Sequence, residues 1–201
     1  MIRRLRSILA VPGIYQLFFN LIGAPHRSRT LVREYIRPQK GCRILEIGCG
    51  PGTIVPFLPE CEYLGFDLSP DYIQKARKRY PYARFVCERV SHYALPGAAY
   101  FDTVLALGIL HHLDDVEALQ LFQIAHQALK TAGRLITLDG VWTNHQSRTA
   151  RYLLARDRGQ FVRTEEAYMR IAAHSFSEIK SSIRHGLLRI PYTHIILECT
   201  R

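Results

Sequence analysis

The chain has no long uninterrupted apolar run, no internal repeat, no low-complexity tract and no pair of cysteines at a metal-binding spacing. The first absence argues against a membrane-spanning helix as the organising element. The second and third exclude solenoid arrays and disordered scaffolds, and the last leaves nothing to read as a zinc ribbon or finger. Acidic residues are also in short supply: 17 Asp and Glu against 27 Lys and Arg give a formal charge of +10. The densest basic runs are Arg3-Arg4-Leu5-Arg6, Lys75-Ala76-Arg77-Lys78-Arg79 and the stretch 148–170. Such runs form a solvated face or attract an anionic substrate, a membrane surface or nucleic acid.

What is present is enough for one good core. With 201 residues, 48% of them hydrophobic, a single domain spanning 1–201 is expected, without room for a second. Cys42, Cys87 and Cys199 fall in predicted strands. The five cysteines therefore read as free thiols, small apolar groups in a reducing compartment, which places the protein in the cytoplasm.

The chain is organised around Ile44-Leu45-Glu46-Ile47-Gly48-Cys49-Gly50-Pro51-Gly52-Thr53. The apolar run before the first glycine predicts a strand buried on both faces. The glycines let the backbone turn tightly and approach whatever lies above it, and a helix beginning near Thr53 would point its free N–H groups at the same space. A second short apolar run ends on Asp67, 19 positions after Gly48, the spacing of an acid that holds ribose hydroxyls. That spacing also admits a nicotinamide cofactor.

In chain order, the residues 14–22 place Ile14, Leu17, Phe18, Leu21 and Ile22 on one face of an amphipathic helix. A helix is predicted over 28–36, ended by Pro38 and Gly41. Ser69-Pro70-Asp71 opens the helix after the second strand. Strands are predicted over 83–88, 101–107 and 134–138, the last with Asp139 at its carboxyl end. Asp114 with Glu117 opens the helix between the latter two, with Ala118, Phe122, Ala125 and Leu129 as its apolar stripe, closed by Lys130 and Gly133. Residues 177–184 and 192–199 suit the last two strands. This alternation implies a parallel sheet with right-handed crossovers.

The pattern Glu46-x-Gly48-x-Gly50-x-Gly52, the acid Asp67 closing the second strand, and Leu107-Gly108-Ile109-Leu110-His111-His112-Leu113-Asp114-Asp115 together resemble the class I S-adenosylmethionine-dependent methyltransferases, in particular the small single-domain bacterial type. The resemblance runs from about residue 30 to residue 200. It implies an α/β fold, a Rossmann-like doubly wound seven-stranded sheet of order 3-2-1-4-5-7-6, mostly parallel with an antiparallel last strand. It implies S-adenosylmethionine as cofactor, S-adenosylhomocysteine as product and no metal. Carried onto this sequence, the cofactor residues are Glu46, Gly48, Cys49, Gly50, Gly52, Asp67, Leu68, Ser91, Leu107 and Gly108. An Asp that commonly follows the third strand in that family is absent from Glu88-Arg89-Val90-Ser91-His92-Tyr93, and Ser91 or a backbone carbonyl is the replacement. The amphipathic helix of 14–22 packs on the core or, as the family likeness implies for 1–27, forms a lid or cap in which Tyr15, Phe18 and Phe19 line the pocket; 141–173 is a substrate-side insertion by the same likeness, or an exposed charged helix pair.

Methyl transfer requires alignment, exclusion of water and, for some acceptors, removal of a proton. His111 and His112 are the catalytic candidates, with His145 a third base and Asp139 and Asn144 candidates to orient the acceptor. The expected activity is methylation of a small molecule, anionic or lipid-like; the arginines of 141–173 suggest an anionic group. The alternatives are an RNA or protein methyltransferase and a non-catalytic S-adenosylmethionine-binding module. Against nucleic acid stand the lack of room for an RNA-binding module and of any aromatic-interleaved basic motif. A peripheral membrane contact through 1–22 is the remaining partner the composition suggests. The acceptor atom and the oligomeric state are left open by the sequence.

Overall fold

The computed structural model describes residues 23–89, 99–156 and 159–201; the 14–22 helix, Tyr15, Phe18, Phe19 and Ser91 lie outside these. Strands with apolar residues at both parities build the centre: β1 (Arg43–Ile47), β2 (Glu62–Asp67) and β4 (Phe101–Leu107). Ile44, Tyr63 and Leu105 point to one face and Leu45, Leu64 and Val104 to the other, so one apolar cluster forms on each side of the sheet. This is the pattern of a parallel sheet covered by helices on both faces. The remaining strands are β3 (Arg84–Cys87), β5 (Leu129–Trp142), β6 (Arg163–Thr164), β7 (Glu178–Arg184) and β8 (His194–Thr200). The order is β3-β2-β1-β4-β5-β8-β7, and β6 adds a two-residue pairing to the end of β5. β8 runs antiparallel to both of its neighbours. The long strands follow the expected order; the eighth, β6, was not expected.

The helices are α1 (Ala24–Leu31), which continues as a π-helical turn over Val32–Ile36, α2 (Pro70–Arg79), α3 (Asp115–Ala128), α4 (Arg148–Leu154) and α5 (Glu165–Ala172). α1 and α2 cover one face of the sheet, α3 and α5 the other. Ser69 caps α2 by accepting from the Tyr72 amide, and Asp114 caps α3 by accepting from Glu117 N at 2.9 Å, as the sequence predicts. The carbonyls left open after the π turn are bonded by Arg134, whose guanidinium donates to Tyr35 O at 2.9 Å and Ile36 O at 2.7 Å.

Three expectations are corrected. No α-helix follows the glycine loop: only a 3-10 turn forms over Val55–Phe57, and Leu58 is already extended, the conformation that Pro59 imposes on the residue before it. α3 ends at Ala128, and Ala132 rather than Gly133 takes the left-handed conformation, at φ 61°; Leu129 is already extended and pairs with Phe101. β5 then runs on to Trp142, so Asp139 lies within the strand rather than at its carboxyl end.

Candidate functional site

The chain turns one way from β1 to β2 and β3 and the other way to β4, and a crevice opens beyond the carboxyl ends of strands at such a switch point. Here it is a cleft of about 900 Å³. Gly48, Gly50 and Gly52 hold φ of 75°, 53° and 72°, a conformation costly for residues with a Cβ. Gly48 N and Cys49 N both donate to Phe66 O at 2.8 Å, which folds the loop back over β2. A Cβ on Gly50 would meet no protein atom within 4 Å, so the backbone there borders open cleft that a ligand can fill.

Asp67 holds this loop from the neighbouring strand. One of its carboxylate oxygens accepts from Gly50 N and the other from Ser69 N, each at 2.8 Å. Each oxygen keeps a second lone pair for hydroxyl donors. Glu46 is buried on the floor of the cleft and accepts a short hydrogen bond from the Tyr63 hydroxyl. Burial pushes its carboxyl up to about 8, with the Asp67 charge adding to the rise and the Tyr63 hydrogen bond and Arg27 opposing it.

On the β4 side, Leu107 and Gly108 line the cleft, followed by the turn Leu110–His112. His111 is buried, and its Nδ1 lies 2.7 Å from Asp139 Oδ1, which also accepts from the His111 backbone N at 3.1 Å. Desolvation raises the Asp139 carboxyl, opposed by its hydrogen bond and charge interaction with His111. With Nδ1–H donated to Asp139, Nε2 carries the lone pair. Gly159 closes over the ring edge: a Cβ there would overlap His111 Cδ2. The turn is held by Arg163, buried at 9% exposure, which donates to Leu110 O, Leu113 O and Phe161 O and pairs with Asp115 at 2.7 Å.

The structure brings together Glu46, Gly48, Cys49, Gly50, Asp67, Leu68, Leu107, Gly108, His111 and His112 around this cleft. Gly52 is not among them; a Cβ there would lie 3.2 Å from the rings of Tyr80 and Phe85, in the core behind the loop. His145 and Asn144 are exposed and line no part of the cleft. Asp139 lies beneath His111 instead of facing an acceptor. Among the arginines of 141–173, Arg156 reaches the cleft, Arg163 is the clamp just described, and Arg151 stacks on Trp142. Sequence reasoning missed Arg27 and Leu31 on α1, Tyr72 on α2, and Glu117, Gln120 and Ile124 on α3. The last three recur at i, i+3 and i+7, a single helical face, which is the signal that could have found them.

Residues 44–133 match the family model described as a methyltransferase domain. The match spans under half of the chain; together with the cleft it supports a methyltransferase, in a fold shared with class I S-adenosylmethionine-dependent methyltransferases. It is similar to a trans-aconitate 2-methyltransferase of Afipia carboxidovorans, 34% identical over 77 residues, or 36% of this chain and 29% of that protein. The alignment thus spans under a third of that relative. A TehB-like S-adenosylmethionine-dependent methyltransferase from Corynebacterium glutamicum superposes with a TM-score of 0.67 at 19% identity, covering 94% of this chain and 97% of the other. A geranyl diphosphate methyltransferase in complex with GPP and sinefungin does so with a TM-score of 0.68 at 13% identity, covering 86% and 77%.

The cofactor of this class is S-adenosylmethionine, and the residues present fit it. The open backbone at Gly50 admits close approach, Asp67 retains lone pairs for hydroxyls, and Glu46 supplies a carboxyl where a cationic amino group would sit. Among the described residues, no group of three or more His, Cys, Asp or Glu side chains converges as metal ligands.

Proposed function

We propose that the chain methylates a small acceptor bearing an anionic group. The observation that carries this reading is one cleft that joins the Glu46–Gly48–Gly50–Asp67 cradle to the side chains of Arg27, Arg89 and Arg156. S-adenosylmethionine, when bound, supplies a sulfonium methyl group open to in-line displacement.

Asp67 holds the ribose hydroxyls, the loop 48–50 and Glu46 receive the amino acid end, and the exposed Leu68 and Leu107–Gly108 frame the remainder. His111, fixed by Asp139 through Nδ1, takes a proton at Nε2 from a hydroxyl or amine acceptor; a carboxylate acceptor needs no base. His112 lies against it, ring centroids 4.1 Å apart. Arg89 and Arg156 draw the acceptor's anionic group into the cleft. The relative named for trans-aconitate, an anion, supports the same substrate class.

The test is transfer of labelled methyl from S-adenosylmethionine to a panel of carboxylic acids, phenols, organic diphosphates and RNA. Transfer to small anions, with KM raised in Arg156→Ala and Arg89→Ala, is expected. Label entering only RNA would overturn the substrate class. Cofactor binding without transfer to any acceptor would favour the binding-module alternative.

A further inference from the structure

At the end of the sheet opposite the cleft, Cys42 and Cys61 stand just before β1 and β2. The β1–β2 register begins with Arg43 against Glu62, so one step earlier these two cysteines face each other. The ladder continues through them: Glu62 N donates to Cys42 O at 2.9 Å and Gly41 N to Glu60 O at 2.7 Å. Parallel neighbours run about 4.8 Å apart, inside the roughly 4.4–6.8 Å between Cα atoms that a disulfide bridges. The two sulfurs are 2.6 Å apart, within about 0.6 Å of covalent bond length. Both are free thiols, Cys42 buried and Cys61 half-buried. The other three stand apart: Cys49 in the glycine loop, Cys87 exposed on β3 and Cys199 buried in β8.

We propose that Cys42 and Cys61 are a dithiol modification site that forms an intramolecular disulfide with a small-molecule disulfide as oxidant. The Cys61 thiolate, the more accessible, attacks one sulfur of the oxidant and expels its first thiol. Cys42 then attacks the Cys61 sulfur of the mixed disulfide and expels the second. One Sγ–Sγ bond replaces two S–H bonds, two electrons pass to the oxidant, and both protons leave on the released thiols or to solvent. The bond closes the segment 42–61, which holds β1, the glycine loop and the connection to β2. It pins the amino ends of the two strands that carry Glu46 and Asp67, and leaves their carboxyl ends, where the cleft lies, in place. The inference does not depend on the identity of the acceptor.

Burial and the neighbouring Cys42 sulfur push the Cys61 thiol up to about 12, so exchange is best run at mildly alkaline pH. The test treats the purified full chain with glutathione disulfide, then reads intact mass, non-reducing peptide maps and thermal melting. The expected result is the loss of two hydrogens and a linked peptide joining Cys42 to Cys61. With it comes a melting temperature raised by roughly 6–12 °C, as a loop of this size in a protein of this length implies. Dithiothreitol should reverse the rise, and both Cys61→Ser and Cys42→Ser should prevent it. Full alkylation of both thiols after oxidation, a linked peptide joining other cysteines, or a stable glutathione adduct on Cys61 would overturn the proposal.

Discussion

Replacing Glu46 with Gln removes a titration that the fold imposes. Glu46 is 4% exposed, lies beside Asp67 and accepts a hydrogen bond from the Tyr63 hydroxyl. Its carboxyl ionises near the ordinary 4.5 in the unfolded chain and near 8 in the folded one. Because the folded value is the higher, the native state binds the extra proton between those values, and its stability falls as pH rises through the window. Each pH unit crossed is worth about 1.4 kcal/mol, so the whole window amounts to roughly 3–5 kcal/mol. Glu46→Gln keeps the shape and an acceptor for Tyr63 but cannot ionise. Urea unfolding of both proteins at pH 5 and pH 8 should show the variant's stability relative to the parent improving by several kcal/mol at the higher pH. Since S-adenosylmethionine brings a cationic amino group near this carboxyl, its binding at pH 7 should also release a proton. That release is measured by titration in two buffers of different ionisation enthalpy and should be absent in the variant. A stability difference equal at both pH values would refute the reasoning.

Two further outcomes follow from the β4 side of the cleft. With a hydroxyl acceptor, His111→Ala should lower kcat by roughly 10²–10⁴, and Asp139→Asn should lower kcat with KM nearly unchanged and move the acidic limb of the pH–rate profile. With a carboxylate acceptor His111→Ala should leave kcat within a few-fold, and an equal loss on both acceptors would show that His111 only shapes the site. Arg163→Ala strands three backbone carbonyls, while the exposed Asp115 stays hydrated, and should destabilise the fold by about 3 kcal/mol. Denaturant unfolding measures it, and a loss under 1 kcal/mol would contradict the clamp.

Much of this was written locally. β1 and β4 end where glycine or a polar residue interrupts an apolar run, so their boundaries are legible to the residue. The caps Ser69 and Asp114 announce α2 and α3. The start of α1 was missed by four residues because Gly23 precedes it in the left-handed conformation without a side-chain cap, and α1 therefore delivers Arg27 to the cleft unannounced. The loop after β1 reads as a helix until Pro56 and Pro59 are weighed. The pairing of His111 with Asp139 joins residues 28 apart, one in the turn after β4 and the other within β5, and only the β4–β5 register brings them together. Arg163 shows the same limit: among six arginines of one segment, charge counting cannot say which is buried as a clamp and which, like Arg156, faces the cleft.

The most direct test is isothermal titration of S-adenosylmethionine, S-adenosylhomocysteine and NADH into the purified chain, with Asp67→Ala and the milder Asp67→Asn as controls whose folding is confirmed by circular dichroism. Micromolar binding of the first two ligands, lost in Asp67→Ala and weakened in Asp67→Asn, with none for NADH, is the predicted result. Binding of NADH alone, or of no ligand to the folded parent protein, would contradict the assignment of the cleft.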